Sequence, residues 1–144
     1  MRNRFEFVLL LLTLFAVISL LPQQARAQAC EEDESMVEAY RNNLSELVDT
    51  TRKESLEEFE KAFHQKSCLT KLSLSIGLVD ELVNCLDKAG QDSTASKEQS
   101  ETYKTKRESY AKLKVTIEED HKKLKAADTS KSAKAQIEKF DFSK

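Results

Sequence analysis

The chain has 144 residues, a net charge of −2, 33% charged and 40% hydrophobic side chains, two glycines, one proline, no tryptophan and three cysteines. So few turn-forming residues exclude an all-β sandwich or barrel, and two glycines cannot build a phosphate-binding loop. The slightly acidic balance argues against nucleic acid as a partner.

Residues 1–29 read as a secretory signal. Arg2 and Arg4 give a positive start, Phe7 to Leu21 carries no charge, and Pro22 leads into a polar segment ending Ala25-Arg26-Ala27-Gln28-Ala29. That is the three-part layout of an export signal, and the apolar run is short beside the roughly 20 residues a membrane-spanning helix needs. Cleavage after Ala27 starts the chain at Gln28; cleavage after Ala29 starts it at Cys30. The expected protein is secreted and has no stable membrane insertion once the signal is removed. The alternatives are an uncleaved N-terminal anchor or a lipid on Cys30, for which Ala29 fits a lipoprotein signal but Ala27 and Gln28 fit poorly.

Residues 30–128 are expected to form one helical domain. Val37, Tyr40, Leu44, Leu47, Val48, Leu56, Phe59 and Phe63 recur at steps dominated by three and four, the stripe of an amphipathic helix over about 34–66. Asp49–Thr51 is where it could break into two helices, and Glu31 to Glu34 lie at the positive end of the helix dipole. A second helix, about 68–89, carries Leu69, Leu72, Ile76, Val79, Val83 and Leu86. Leu74, Leu78 and Leu82 widen the stripe enough to pack against two neighbours. Gly77 suggests a close crossing or a kink, and Gly90 a C-terminal stop. The polar stretch 91–100 is the connector. A third helix, about 98–128, repeats Tyr103, Tyr110, Ile117 and Leu124 every seven residues. Its partner positions are poor (Lys106, Asp120, Ala127), so it depends on docking. The tail, 129–144, is either mobile or a short fourth helix, with Ile137, Phe140 and Phe142 as apolar residues. The fold class that follows is all-α: an antiparallel up-down bundle of three helices, four if the tail folds.

Three cysteines in an oxidising compartment leave one over. Cys68 and Cys85 on one straight helix would be about 25 Å apart at 1.5 Å per residue, whereas a disulfide needs Cα atoms within about 7 Å. Antiparallel packing of the first two helices brings the start of one beside the end of the other. Cys30–Cys85 is therefore the preferred bridge. Cys68 is then free, or joins two copies in a homodimer.

Catalytic patterns are weak. There is no Gly-x-Ser-x-Gly elbow and no zincin motif. His64 four residues before Cys68 lacks a third orienting group. Glu118 and His121 share a helix face but would be one quarter of a di-metal site at most. No enzyme activity, cofactor or metal is expected. Asn43-Leu44-Ser45 is an N-glycosylation triplet.

Charge is divided unevenly: residues 30–96 hold 7 basic and 15 acidic side chains, residues 97–144 hold 13 and 9. The simplest account is an acidic hairpin neutralised by a basic third helix. The expected function is binding of a partner protein through that helix and the aromatic tail, with Tyr103, Tyr110, Phe140 and Phe142 as contact residues. The alternative is carriage of an apolar small molecule or lipid in the bundle interior, lined by the second helix with Phe59 and Phe63.

Overall fold

The computed structural model describes residues 30–142, and every regular element among them is an α-helix. The expected signal segment, residues 1–29 with its cleavage points, lies outside the described residues. Helix α1 covers 30–53, α2 Leu56–Lys61, α3 His64–Gly90, α4 Lys97–Lys125 and α5 Ser130–Ile137.

The expected single helix over 34–66 is divided, and the break falls after the stretch flagged by sequence. Ser55 is extended, and it forms a capping box: Glu58 N donates to Ser55 Oγ at 3.3 Å while Ser55 N donates to Glu58 Oε2 at 2.8 Å. This reciprocal pair satisfies two amides that a helix start leaves open, which makes a new helix more favourable here than continuing the old one. The Ser55 backbone bond, then its hydroxyl, hold the Glu58 carboxyl below its ordinary pKa. A second reset follows at Phe63, whose φ of 54° and ψ of 35° are left-handed. The next long helix therefore starts at His64 rather than near 68. Across the break, His64 Nε2 lies 2.7 Å from Glu54 Oε2, bringing the end of α1 to the start of α3.

α3 and α4 run antiparallel. Arg107 Nε meets Asp87 at 3.0 Å and Lys114 Nζ meets Asp80 at 2.7 Å. Between them lies a connector closed by a second capping box, Ser96 with Gln99. α1 runs opposite to α3, because its residue Cys30 is bonded to Cys85 near the end of α3, with Cα atoms 5.7 Å apart. It runs alongside α4, where Glu34 pairs with Lys106 at 2.7 Å. The basic residues of α4 thus face acids of both other long helices. Leu44, Leu72, Val79, Leu82, Ile117 and Leu124, from all three long helices, are fully buried between them. The hydrophobic effect on these stripes is the main driving force for docking α4, whose own apolar seam is thin.

α3 ends at Gly90, where sequence placed its stop, whereas the close crossing suggested at Gly77 is not found. A Cβ on Gly77 would meet nothing within 4 Å, so no helix crosses closely there. Replacing it by Ala is expected to stabilise the fold by about 1 kcal/mol, the difference between the two residues in a helix interior. Chemical unfolding of Gly77→Ala checks this, and an unchanged midpoint would refute it. Gly90 does not take positive φ; it is the last residue of α3. A Cβ there would lie 3.5 Å from the Tyr103 Cβ, and the Gly90 carbonyl accepts from Ser100 Oγ at 2.7 Å. Its place is the close approach of α3 to α4.

Residues 129–142 fold onto the bundle. Thr129 caps α5 through Ser132, and α5 buries Ala133 and Ile137 against the other helices. Beyond it the chain turns and runs as a strap, residues 138–142, back along α1. Arg52 donates to the carbonyls of Glu138 and Phe140, and Arg41 to that of Phe142. Of the two states expected for the tail, the structure has the short fourth helix, and Phe140 and Phe142 beyond it are buried in the core, at 4% and 3% exposure.

Candidate functional site

Two places gather chemically distinctive side chains: the α1–α4 seam and the α2–α3 corner. In the seam, Tyr110 Oη donates to Glu34 Oε1 at 2.9 Å, with Glu38 Oε1 3.3 Å away. Lys106 Nζ donates to the other Glu34 oxygen at 2.7 Å. Burial, followed by the hydrogen bond and charge of Glu34 and then the influence of Glu38, raises the pKa of Tyr110 far above an ordinary phenol. Burial would also raise Glu34, but hydrogen bonds from Lys106 and Tyr110, with the Lys106 charge, outweigh it and hold the carboxyl below 4.5.

A depressed folded pKa contributes stability that is complete above about 4.5 and lost as pH falls through the folded value. The stability advantage of wild type over Glu34→Gln is therefore expected to hold at pH 7 and to shrink as pH falls below about 4.5. Melting temperatures across that range measure it; a constant difference would show that the Glu34 charge is not linked to folding.

Sequence placed the partner surface on Tyr103, Tyr110, Phe140 and Phe142. The structure separates them. Tyr103 and Tyr110 are half-buried on α4, packed against the core at different levels. Phe140 and Phe142 are interior, with their rings edge to face at 5.9 Å, so neither is an exposed contact in this fold. Cys68 is also enclosed, at 0% exposure. Burial, offset in part by Lys71 and reinforced by Asp120, pushes its thiol up to about 12. Of the two states expected for Cys68, the structure has the free thiol, and a disulfide between two copies would require this buried sulfur to reach the surface. Asn43 lies on the exposed face of α1, in mid-helix. Glu118 is exposed and His121 half-buried; no cluster of three or more His, Cys, Asp or Glu fit to hold a metal ion occurs among the described residues.

Sequence reasoning missed the α2–α3 corner. Phe59 and Phe63 were expected to line one interior cavity, but they part company. Phe59 is the buried residue of α2, its ring 5.8 Å from that of His64. Phe63 is 72% exposed, the most exposed large apolar side chain among the described residues. Both border an open cleft of about 410 Å³ that Glu60, Gln65, Lys66 and Leu69 also line. The left-handed backbone at Phe63 costs a side chain with a Cβ about 1–2 kcal/mol. The only sequence signal was the spacing: Phe59 and Phe63 are four apart, which in an unbroken helix puts both on one face.

These features define a small all-helical protein closed by one disulfide, with an aromatic side chain projecting from a strained corner. No protein-family model, curated protein or solved structure matches the chain.

Proposed function

We propose that this chain is exported and acts by binding another protein, without catalysis, with Phe63 as the binding anchor. The observation that carries the reading is Phe63 itself. A glycine would relieve the left-handed backbone and a polar residue would suit the solvent, yet a bulky aromatic side chain occupies the position. Backbone strain held in place by a rigid frame clusters at functional sites, and aromatic anchors dominate binding energy at protein interfaces. The cleft beside Phe63, with Leu69 as an apolar wall and Glu60 and Lys66 at its rim, would receive the partner.

Export is supported by the Cys30–Cys85 bond, since disulfides persist in oxidising compartments. It is also compatible with the finding that no helix among the described residues is long and apolar enough to cross a membrane. In this reading residues 1–29 are the cleaved signal, the three long helices form the up-down bundle, and α5 is its short fourth member. Asn43 is then a candidate glycan site. The intact mass of the exported protein, with and without reduction, tests first residue, glycan and disulfide together.

For the binding role, wild-type, Phe63→Gly and Phe63→Tyr proteins are immobilised and exposed to extracellular fluid from the expressing tissue. A partner retained by wild type and by Phe63→Tyr, and lost at least tenfold by Phe63→Gly, is the expected result. Equal retention by Phe63→Gly, with unchanged circular dichroism, would overturn the assignment of Phe63.

A further inference from the structure

The strap along α1 is held by a device that occurs twice. Arg41 lies three residues after Glu38 and Arg52 three residues after Asp49. Each arginine gives one amino group, Nη1, to its own acid, at 2.8 and 3.1 Å. Its other edge, Nε with Nη2, grips strap carbonyls: Arg41 holds that of Phe142 at 3.2 and 3.0 Å, and Arg52 that of Glu138 at 3.1 and 2.9 Å. The two arginines are 11 residues apart, and three helical turns take about 10.8. They therefore stand on one face of α1, about 16 Å apart: Arg52 meets the turn that ends α5, where Glu138 is in the helical region, and Arg41 meets the irregular residues that follow it.

The contacts divide into two kinds. The arginines read main-chain carbonyls, which any peptide offers. Selectivity comes from Phe140 and Phe142, which point to the same side as alternate residues of an extended chain do and enter the core on either side of the exposed Asp141. Glu38 and Asp49 hold one amino group of each guanidinium from within α1, which favours the same fork geometry for binding. The strap lies outside any regular secondary structure, and segments of this kind open before packed helices do.

We propose that the face of α1 between Arg41 and Arg52 is a peptide-recognition groove. Its resident ligand is residues 138–142, and in trans it takes a segment of a partner protein that bears aromatic side chains at alternate positions and follows the same turn. The proposal uses none of the contacts at Phe63. Tethering gives the resident strap an effective concentration on the order of millimolar, so a free peptide binds weakly to wild type and more tightly once the resident anchors are shortened.

The probe is a fluorescent peptide with the sequence of residues 136–142, QIEKFDF, titrated into the full chain and followed by anisotropy. Affinity for Phe142→Ala at least tenfold above that for wild type is expected, with the gain lost when Arg41→Gln is added. Equal affinity for wild type and a folded Phe142→Ala chain overturns the proposal. A second measurement needs no variant: hydrogen exchange of wild type, in which millimolar peptide is expected to speed exchange in residues 138–142 and leave α3 unchanged. No acceleration overturns it. A wild-type dimer that grows with concentration and is suppressed by the peptide would give the groove to a second copy, and so overturn the partner segment as occupant.

Discussion

Replacing Cys30 and Cys85 together by serine is expected to lower the stability of the fold by about 4 kcal/mol, the chain-entropy value for a closed loop of this length. The two cysteines are 55 residues apart in sequence, so the bond removes a large share of the conformations of the unfolded chain. It also fixes the N-terminal end of α1 on the last turns of α3, the point from which the seam of Glu34, Tyr110 and Lys106 is registered. For a domain of this size the melting temperature should fall by on the order of 15 °C. Thermal unfolding followed by circular dichroism, with and without a reductant, measures it in wild type as well as in the double variant. Cys68 is buried in the folded state, with its thiol pushed up to about 12, so exchange with the bond is confined to the unfolded chain, and a Cys68→Ser background removes it. A melting temperature that reductant leaves unchanged would show that the bond does not constrain the unfolded chain.

The second large effect lies at the corner, where two phenylalanines four residues apart should behave oppositely. Phe59→Ala is expected to cost about 3–5 kcal/mol, the range for removing a buried aromatic ring. Phe59 is the buried anchor of the six-residue helix α2, and a helix that short has no stability of its own. Its loss should therefore free α2 as a unit, and hydrogen exchange in residues 56–61 should rise more than in α3. Phe63→Gly should instead raise stability by about 1 kcal/mol, since glycine adopts the left-handed conformation without the Cβ clash. Urea midpoints of the two variants give both signs at once. A Phe63→Gly chain less stable than wild type would mean that the ring contributes packing that its exposure does not suggest.

Much of the helical character was legible in advance. The stripes of α3 and α4 are long and regular, and the polar run 91–96 between them has nothing to bury. The first helix was misread because the eight apolar positions from Val37 to Phe63 keep steps close enough to a helical repeat for the stripe to pass across the break. The contrary signal, Ser55 with Glu58 three residues later, is a local one, and such pairs end a helix only where the chain gains from turning. That gain comes from Phe59 entering the core and from His64 meeting Glu54, both tertiary contacts.

The candidate sites were less legible, for a related reason. Hydrophobicity places a side chain on a face only where a period repeats it, and Phe63, Phe140 and Phe142 all lie at turns or in extended chain. Read singly, the tail phenylalanines looked exposed and Phe63 looked interior. The structure reverses both. Arg41 and Arg52 gave no warning either: each has an acid three residues before it, an ordinary pattern on a helix surface, and their hold on the strap carbonyls exists only once residues 138–142 return to α1.

By itself the sequence determined the all-helical class, the position of the main connector and the exclusion of a Cys68–Cys85 bond within one helix, because period, turn chemistry and rise per residue act along the chain. Only the tertiary structure decided which aromatic residue faces solvent, where the first helix stops and what the tail covers. Those outcomes depend on space and partners supplied by segments distant in sequence, and no local pattern encodes them.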